Sequence, residues 1–290
     1  MAAPAQAKAK EGPSWSAYSV ALLRAQHQVV DGGSIFFDPF ALPITGESVD
    51  KIARQATEFA RLRRFVAARS RFAEDCLAQA VARGVRQVVV LGAGLDTFAL
   101  RNPYTDKGVR VFEVDRAETQ QLKRRYLARA HLAVPPGLTF VAVDFERQSF
   151  VNRLFLSGFN MEEPVFFIWL GVVVYLSRKA VAAGLAAIAK LPDAEVVFDY
   201  GEPPASIAEE HRPRYLAMIA RAKASGEPWL SVFTPEEMAR GLTKIGFSEW
   251  DDLGPDAVAS RYFPKELSAG SGGHFVRARK AFLNAAPSAA

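Results

Sequence analysis

The sequence predicts an α/β fold: a doubly wound, seven-stranded and mostly parallel sheet with helices on both faces. Three features predict it. The run QVVVLGAG after Gly84 is continuous in β-branched residues, as expected for a central parallel strand buried on both faces. Strand and helix patterns alternate from there to about residue 200, which dictates crossover connections. The second and third strands end in acids, Asp115 and Asp144, at the edge where open α/β sheets take ligands.

Residues 1–13, MAAPAQAKAKEGP, have no apolar h-region and read as a disordered N-terminal arm rather than a secretory signal. Residues 14–31 predict a helical cap, followed from Phe36 to Pro43 by a turn-rich connection in which Asp38-Pro39 favours extended or turn geometry. Segment 50–83 is free of Gly and Pro, and its apolar stripe at Phe59, Leu62, Val66, Ala73, Cys76 and Ala80 predicts one long amphipathic helix. Arg69 interrupts that stripe. On an inward face it demands an anion, either a structural carboxylate or a ligand, unless it snorkels to solvent.

After the first strand, LDTFALR predicts a helix capped by Asp96 or Thr97. Residues 109–115, 138–144, 164–170 and 195–200 read as the next four strands, with helices at 119–131 and 177–190 between them. Residues 203–230, with prolines, a charged helix and SGEPW, predict a lid inserted near strand C-termini. A helix capped at Thr234-Pro235-Glu236-Glu237, a strand near 247–250, a loop and a last strand at 274–280 complete a single domain spanning 14–280, with a flexible tail at 281–290.

Half of the 290 residues are hydrophobic and 23% are charged, enough apolar material for a substantial core. Cys76 is the only cysteine, so intramolecular disulfides and zinc frameworks are excluded, no metal is expected, and Cys76 reads as core filling. No apolar run approaches the roughly 18 residues of a membrane span, and the expected location is cytoplasmic. The net charge of +5 comes from scattered basic residues, apart from the RLRR…RSR stretch. Aromatics are not interleaved with them as a base-stacking platform requires, so a small-molecule partner is expected over nucleic acid. Oligomeric state leaves no mark in the sequence.

Three elements carry chemistry. Gly92-Ala93-Gly94 follows the first strand, where the chain must turn sharply and admit a ligand to the backbone. Position 97, where the dinucleotide fingerprint wants a third glycine, is Thr, which favours a nucleoside lacking phosphates. Asp115 is suited to accept from both ribose hydroxyls; Glu113, on the same side of that strand, shares the role or faces a helix. Asp144 is suited to accept from an adenine amino group while the ring of Phe145 packs on the base.

With LGAGLDTFALR, VFEVD, AARSRF, VDF and WLGVVVYLS in order, the chain from about residue 16 to 265 resembles the leucine carboxyl methyltransferase family, including its bacterial O-methyltransferase branch. The resemblance implies a Rossmann-like fold and S-adenosylmethionine (SAM) as cofactor. It implies that Arg69 binds the methionine carboxylate, and that Gly92, Gly94, Asp115, Asp144 and Phe145 contact the cofactor's backbone, ribose and adenine parts. Two departures stand out. The family's glutamate after strand four, by the amino-acid end of SAM, is here Leu170, and its DTR becomes Asp96-Thr97-Phe98, with Arg101 retained.

Methyl transfer from a sulfonium is an in-line displacement that asks the protein for alignment and a dry pocket. A carboxylate acceptor needs no base, whereas a hydroxyl benefits from one. None of the four histidines sits in a motif. His211 and Tyr200 stand nearest the expected acceptor side, and Trp229 and Phe233 could line an acceptor pocket or pack a lid, so no catalytic residue is assigned. The expected activity is O-methylation of a small molecule or carboxylate; a SAM binder without turnover, motivated by Leu170, and a tRNA-modifying enzyme are the alternatives.

Overall fold

In the computed structural model, residues 15–56, 59–263 and 272–280 are described. The arm at 1–13 and the tail at 281–290 lie outside these residues. Helices α1 (Trp15–Val30), α2 (Ala41–Thr45) and α3 (Val49–Gln55) form the cap, and α4 (Ala60–Ala82) leads into β1 (Gln87–Leu91). The body continues through β2 (Arg110–Asp115), α5 (Ala117–Arg129), β3 (Leu138–Ala142), α6 (Phe150–Leu156), β4 (Val165–Trp169), α7 (Arg178–Ile188) and β5 (Ala194–Gly201). It closes with α8 (Arg212–Ala224), α9 (Pro235–Ile245), β6 (Glu249–Leu253), α10 (Pro255–Tyr262) and β7 (Gly273–Arg279).

The seven strands make one sheet in the order β3-β2-β1-β4-β5-β7-β6. The first five pair in parallel; β7 pairs antiparallel with β5 and with β6. Strand alternation divides the core between two faces. Val89, Leu91, Phe167 and Trp169 pack with α6, α7 and α9, while Val88, Val90, Phe166 and Ile168 pack with α4 and α10. The doubly wound, mostly parallel α/β architecture expected from the sequence is therefore present.

Four local expectations change. The long helix predicted over 50–83 is two helices, α3 and α4. Ser48 caps α3 by accepting from the Lys51 amide, and Arg63 of α4 reaches back to the Ala56 carbonyl at 2.6 Å, just past the end of α3, while also gripping Asp31. The separation lets α3 bury Ile52 against α1 as α4 runs beneath the sheet. LDTFALR forms only a 3₁₀ turn, Phe98–Arg101. Asp96 Oδ1 accepts from the Phe98 amide, but Thr97 turns its hydroxyl inward to Asp38 instead of capping. Helix α10 replaces a predicted loop, started by Pro255 in its first turn. Helix α6 was not anticipated; its seven residues are too short to display a period. The helix after Thr234 carries a full capping box, with Thr234 and Glu237 each serving the other's amide.

Glu113 faces α5 rather than the sheet edge. It pairs with Lys123 at 2.5 Å, both side chains being almost wholly buried, and burial pushes its carboxyl up to about 7 in spite of the cation. Gln120 fastens the same helix to the carbonyls of Glu113 and Val141. Lys123→Met removes the partner of a buried acid and should destabilise the chain by about 3 kcal/mol. The double variant Glu113→Leu/Lys123→Met should recover most of that loss, as read from urea denaturation midpoints.

Candidate cofactor site

Strands β1 and β4 are neighbours, yet the chain leaves them toward opposite halves of the sheet, β1 toward β2 and β4 toward β5. A crevice must open above their C-terminal ends at such a reversal. Here it is a cleft of about 370 Å³, and Arg69, Gly92, Gly94, Asp115, Asp144 and Phe145 all stand on its walls.

The glycine loop forms the floor. Gly92 and Gly94 have φ of 67° and 50°, and the amides of Gly92 and Ala93 bond back to the Val114 carbonyl of β2. A Cβ on Gly92 would lie 2.4 Å from Val172, and one on Gly94 would lie 3.0 Å from Ala17 of α1. Both positions thus require glycine for conformation and for close approach of the walls. Asp115, ending β2, accepts from the Gly94 amide and from the Arg116 amide, each at 2.7 Å. Burial raises its pKa against the lowering effect of those bonds. Asp144 and Phe145 follow β3. One Asp144 oxygen accepts from the Glu146 amide, which fixes the turn, and the Phe145 ring rests edge-on against Phe150.

Arg69 closes the far end. It projects inward from α4, where the gap in the apolar stripe put it, and its Nη1 donates to Asp199 Oδ2 at 2.9 Å. A guanidinium has five N–H donors, so this bond leaves capacity for a further anion. Leu170 and Gly171 line the adjacent wall. The roof comes from two places: Ser16, Ala17 and Val20 of α1, and residues 226–230 at the end of the segment expected to be a lid. The two meet where the Ser16 amide donates to Glu227 Oε2 at 2.9 Å. Tyr175 also lines the cleft; burial, and then the charge of Glu227, raises its pKa.

Several determinants escaped the sequence reading. Arg24 of α1 bonds Asp38 at 2.5 Å and Asp96 at 2.8 Å, and Arg101 clasps Glu74 of α4 with both terminal nitrogens. Burial works against ionisation of Asp96, but Arg24, Lys123 and Arg101 outweigh it and hold the pKa low. This network pins the cap to the glycine loop. Asp96 and Arg101 stood out in the sequence only as parts of a motif, while Arg24 and Glu74 carried no signal.

Of the candidates from the acceptor side, Tyr200, His211 and Phe233 do not line the cleft. Tyr200 is buried, donates to Asp252 Oδ2 at 2.6 Å and stacks on His274. His211 precedes α8 and pairs with its neighbour Glu210. Trp229 packs on Tyr215 and donates a hydrogen bond to Tyr175 of the cleft wall, between the lining residues Pro228 and Leu230, so it borders the cleft; Phe233 packs on Tyr200.

The model of the family described as leucine carboxyl methyltransferase matches residues 17–189. The chain belongs to the leucine carboxyl methyltransferase family. Relatives are named for the same cofactor. YktD of Bacillus subtilis (strain 168), named as an S-adenosyl-L-methionine-dependent methyltransferase, is 35% identical over 73% of this chain and 71% of its own. A similarly named protein of Mycobacterium sp. (strain JLS) is 39% identical over 43% of this chain and 46% of its own. Among solved structures, a Thermobifida fusca YX protein named as a methyltransferase superimposes with a TM-score of 0.57 at 19% identity, covering 93% of this chain and 95% of that one, which is a likeness of fold. As a leucine carboxyl methyltransferase family member, the chain is a SAM-dependent methyltransferase.

His274 lies where the lid segment leaves β5, with Nδ1 at 2.7 Å from Asp252 and Nε2 at 2.9 Å from Glu202. Burial disfavours the charged ring, but the two carboxylates overcome it and raise the pKa above the ordinary 6.5. A raised pKa contributes stability that is fully present below the unfolded value and lost as pH climbs through the folded one. His274→Gln should therefore flatten the decline in urea midpoint of this methyltransferase on the alkaline side of 6.5.

Proposed function

We propose that the chain transfers a methyl group from SAM to an oxygen of a small-molecule acceptor, in the cytoplasm, and that nucleic acid is not among its partners. The observation that carries this reading is the meeting of six separated residues, two glycines, an arginine, two acids and a phenylalanine, on one cleft at the sheet's switch point. Their chemistry fits the cofactor part by part. Arg69 would receive the carboxylate of the methionine moiety and Asp115 the ribose hydroxyls, while Asp144 and Phe145 would hold the adenine. The positive-φ glycines let the backbone come close without a side chain in the way.

SAM, when bound, supplies a methyl group activated by its sulfonium. The protein's part is alignment and exclusion of water. The α1 and 226–230 roof serves the second, and the clamp at Arg69 serves the first. A carboxylate acceptor would need no base. For a hydroxyl acceptor, Glu227 is the carboxylate on the roof side of the cleft, within the same wall as Tyr175. The cleft is of small-molecule size, which favours a compact acceptor.

Part of the basic stretch of α4 is withdrawn from a polyanion. Arg63 and Arg69 are buried and paired with Asp31 and Asp199, while Arg71, at the surface, pairs with Asp75 and Arg61 is exposed. The two buried cations, already neutralised inside the fold, are not available to a polyanion. No helix among the described residues is long and apolar enough to cross a membrane.

Calorimetric titration with SAM and S-adenosylhomocysteine tests the reading. Micromolar affinity is expected, about 8 kcal/mol. Arg69→Ala should weaken SAM binding by about tenfold or more, since a ligand's carboxylate loses its partner, and should also lower the thermal midpoint, because the buried Asp199 loses its cation. Transfer of labelled methyl to hydroxyl or carboxyl compounds then identifies the acceptor. Tight SAM binding with no transfer to any acceptor class would favour the second reading, a cofactor binder without turnover, which Leu170 motivates.

A further inference from the structure

Leu170, just after β4, lines the cleft together with Arg69, and its side chain offers no partner to the guanidinium. Asp199, near the C-terminus of β5, stands behind the wall at this spot and is almost fully buried. Both of its oxygens are engaged: Oδ2 accepts from Arg69 Nη1 at 2.9 Å, and Oδ1 accepts from the Gly171 amide at 2.5 Å. Gly171 has φ of 69°, and a Cβ on it would fall 2.7 Å from Arg69 Nη2 and 3.0 Å from its Cζ. The guanidinium therefore lies directly over the turn that follows β4. One carboxylate binds arginine and turn together.

Resting on the reading of the cleft as the SAM site, we propose that Asp199 is a positioning residue for the cofactor's amino-acid end. It holds the Arg69 guanidinium and the Gly171 turn in the posture that receives the methionine carboxylate, beside a wall that Leu170 leaves apolar. An arginine side chain is long and has many rotamers; fixed by a buried acid on one edge, it presents its other donors in one geometry. Leu170 presents no competing acceptor, so the guanidinium has Asp199 on one side and the ligand on the other.

The test compares two ligands in calorimetric titrations of the full chain. S-adenosylhomocysteine carries the amino-acid moiety; 5′-methylthioadenosine keeps the adenosine and the sulfur but lacks the ammonium and carboxylate. Asp199→Asn should lower affinity for S-adenosylhomocysteine by about tenfold or more while leaving that for 5′-methylthioadenosine unchanged. In an Arg69→Ala background the same change should add nothing, because the two residues act as one unit. Gly171→Ala reaches the guanidinium by displacing it and should reproduce the selective loss, which keeps the test open should Asp199→Asn fail to fold. Wild-type affinity for S-adenosylhomocysteine in Asp199→Asn, or equal losses for both ligands in the folded variants, overturns the inference. A wild-type chain that binds neither ligand overturns the cofactor reading, and this inference with it.

Discussion

Taking a guanidinium or ammonium out of water costs several kcal/mol unless an acid meets it. Among the described residues four such cations are buried and a fifth, Arg101, is half-buried, and each meets an acid from a different segment. Arg24 of the cap reaches Asp38 and Asp96; Arg63 reaches Asp31; Arg69 reaches Asp199; Arg101 reaches Glu74; Lys123 reaches Glu113. Apolar packing decides that helices cover the sheet. It is non-directional and leaves their exact seating open. The pairs remove that freedom, because a helix that slid would strand a charge. Their placement follows the cleft: Asp96 lies on the glycine loop, Arg69 at the far wall, and Glu113 two residues before Asp115.

The parallel strands were legible because a strand buried on both faces writes itself as an apolar run, and Val88 to Leu91 and Val165–Trp169 do so without interruption. The helix break near residue 56 was not legible. Its cause is Arg63 bonding to Ala56 and Asp31, a tertiary contact that overrides a continuous local pattern. The 3₁₀ turn at Phe98–Arg101 has the same origin, since Thr97 is drawn inward to Asp38. Local propensity described each segment correctly in isolation, and the buried charges then chose among its options.

The site divides along the same line. Asp115 and Asp144 were readable because each closes a strand at the ligand edge. Asp199 stands near the end of β5, one residue before Tyr200, but no local pattern ties it to an arginine 130 residues away in the chain. The arginine in the stripe of α4 asked for an anion, and a ligand and a structural acid stood as rival answers. In the fold the structural acid is present at 2.9 Å while the arginine still borders the cleft, so the rivals are compatible.

That compatibility bears on Leu170. A buried arginine that served only a ligand would be an uncompensated charge whenever the ligand was absent, at a cost to the empty protein that the cofactor would have to offset on each binding. An acid on β4 facing the cleft would relieve the charge but also stand beside the incoming carboxylate. Asp199 relieves it from behind, on β5, and leaves the wall at 170 apolar. The empty cleft is stable, the guanidinium is already oriented, and less ordering remains to be done when an anion arrives. With Asp199 neutralising the guanidinium from β5, an apolar residue at 170 leaves no buried charge unpaired in this corner of the sheet, and the leucine is compatible with a site that receives an anion.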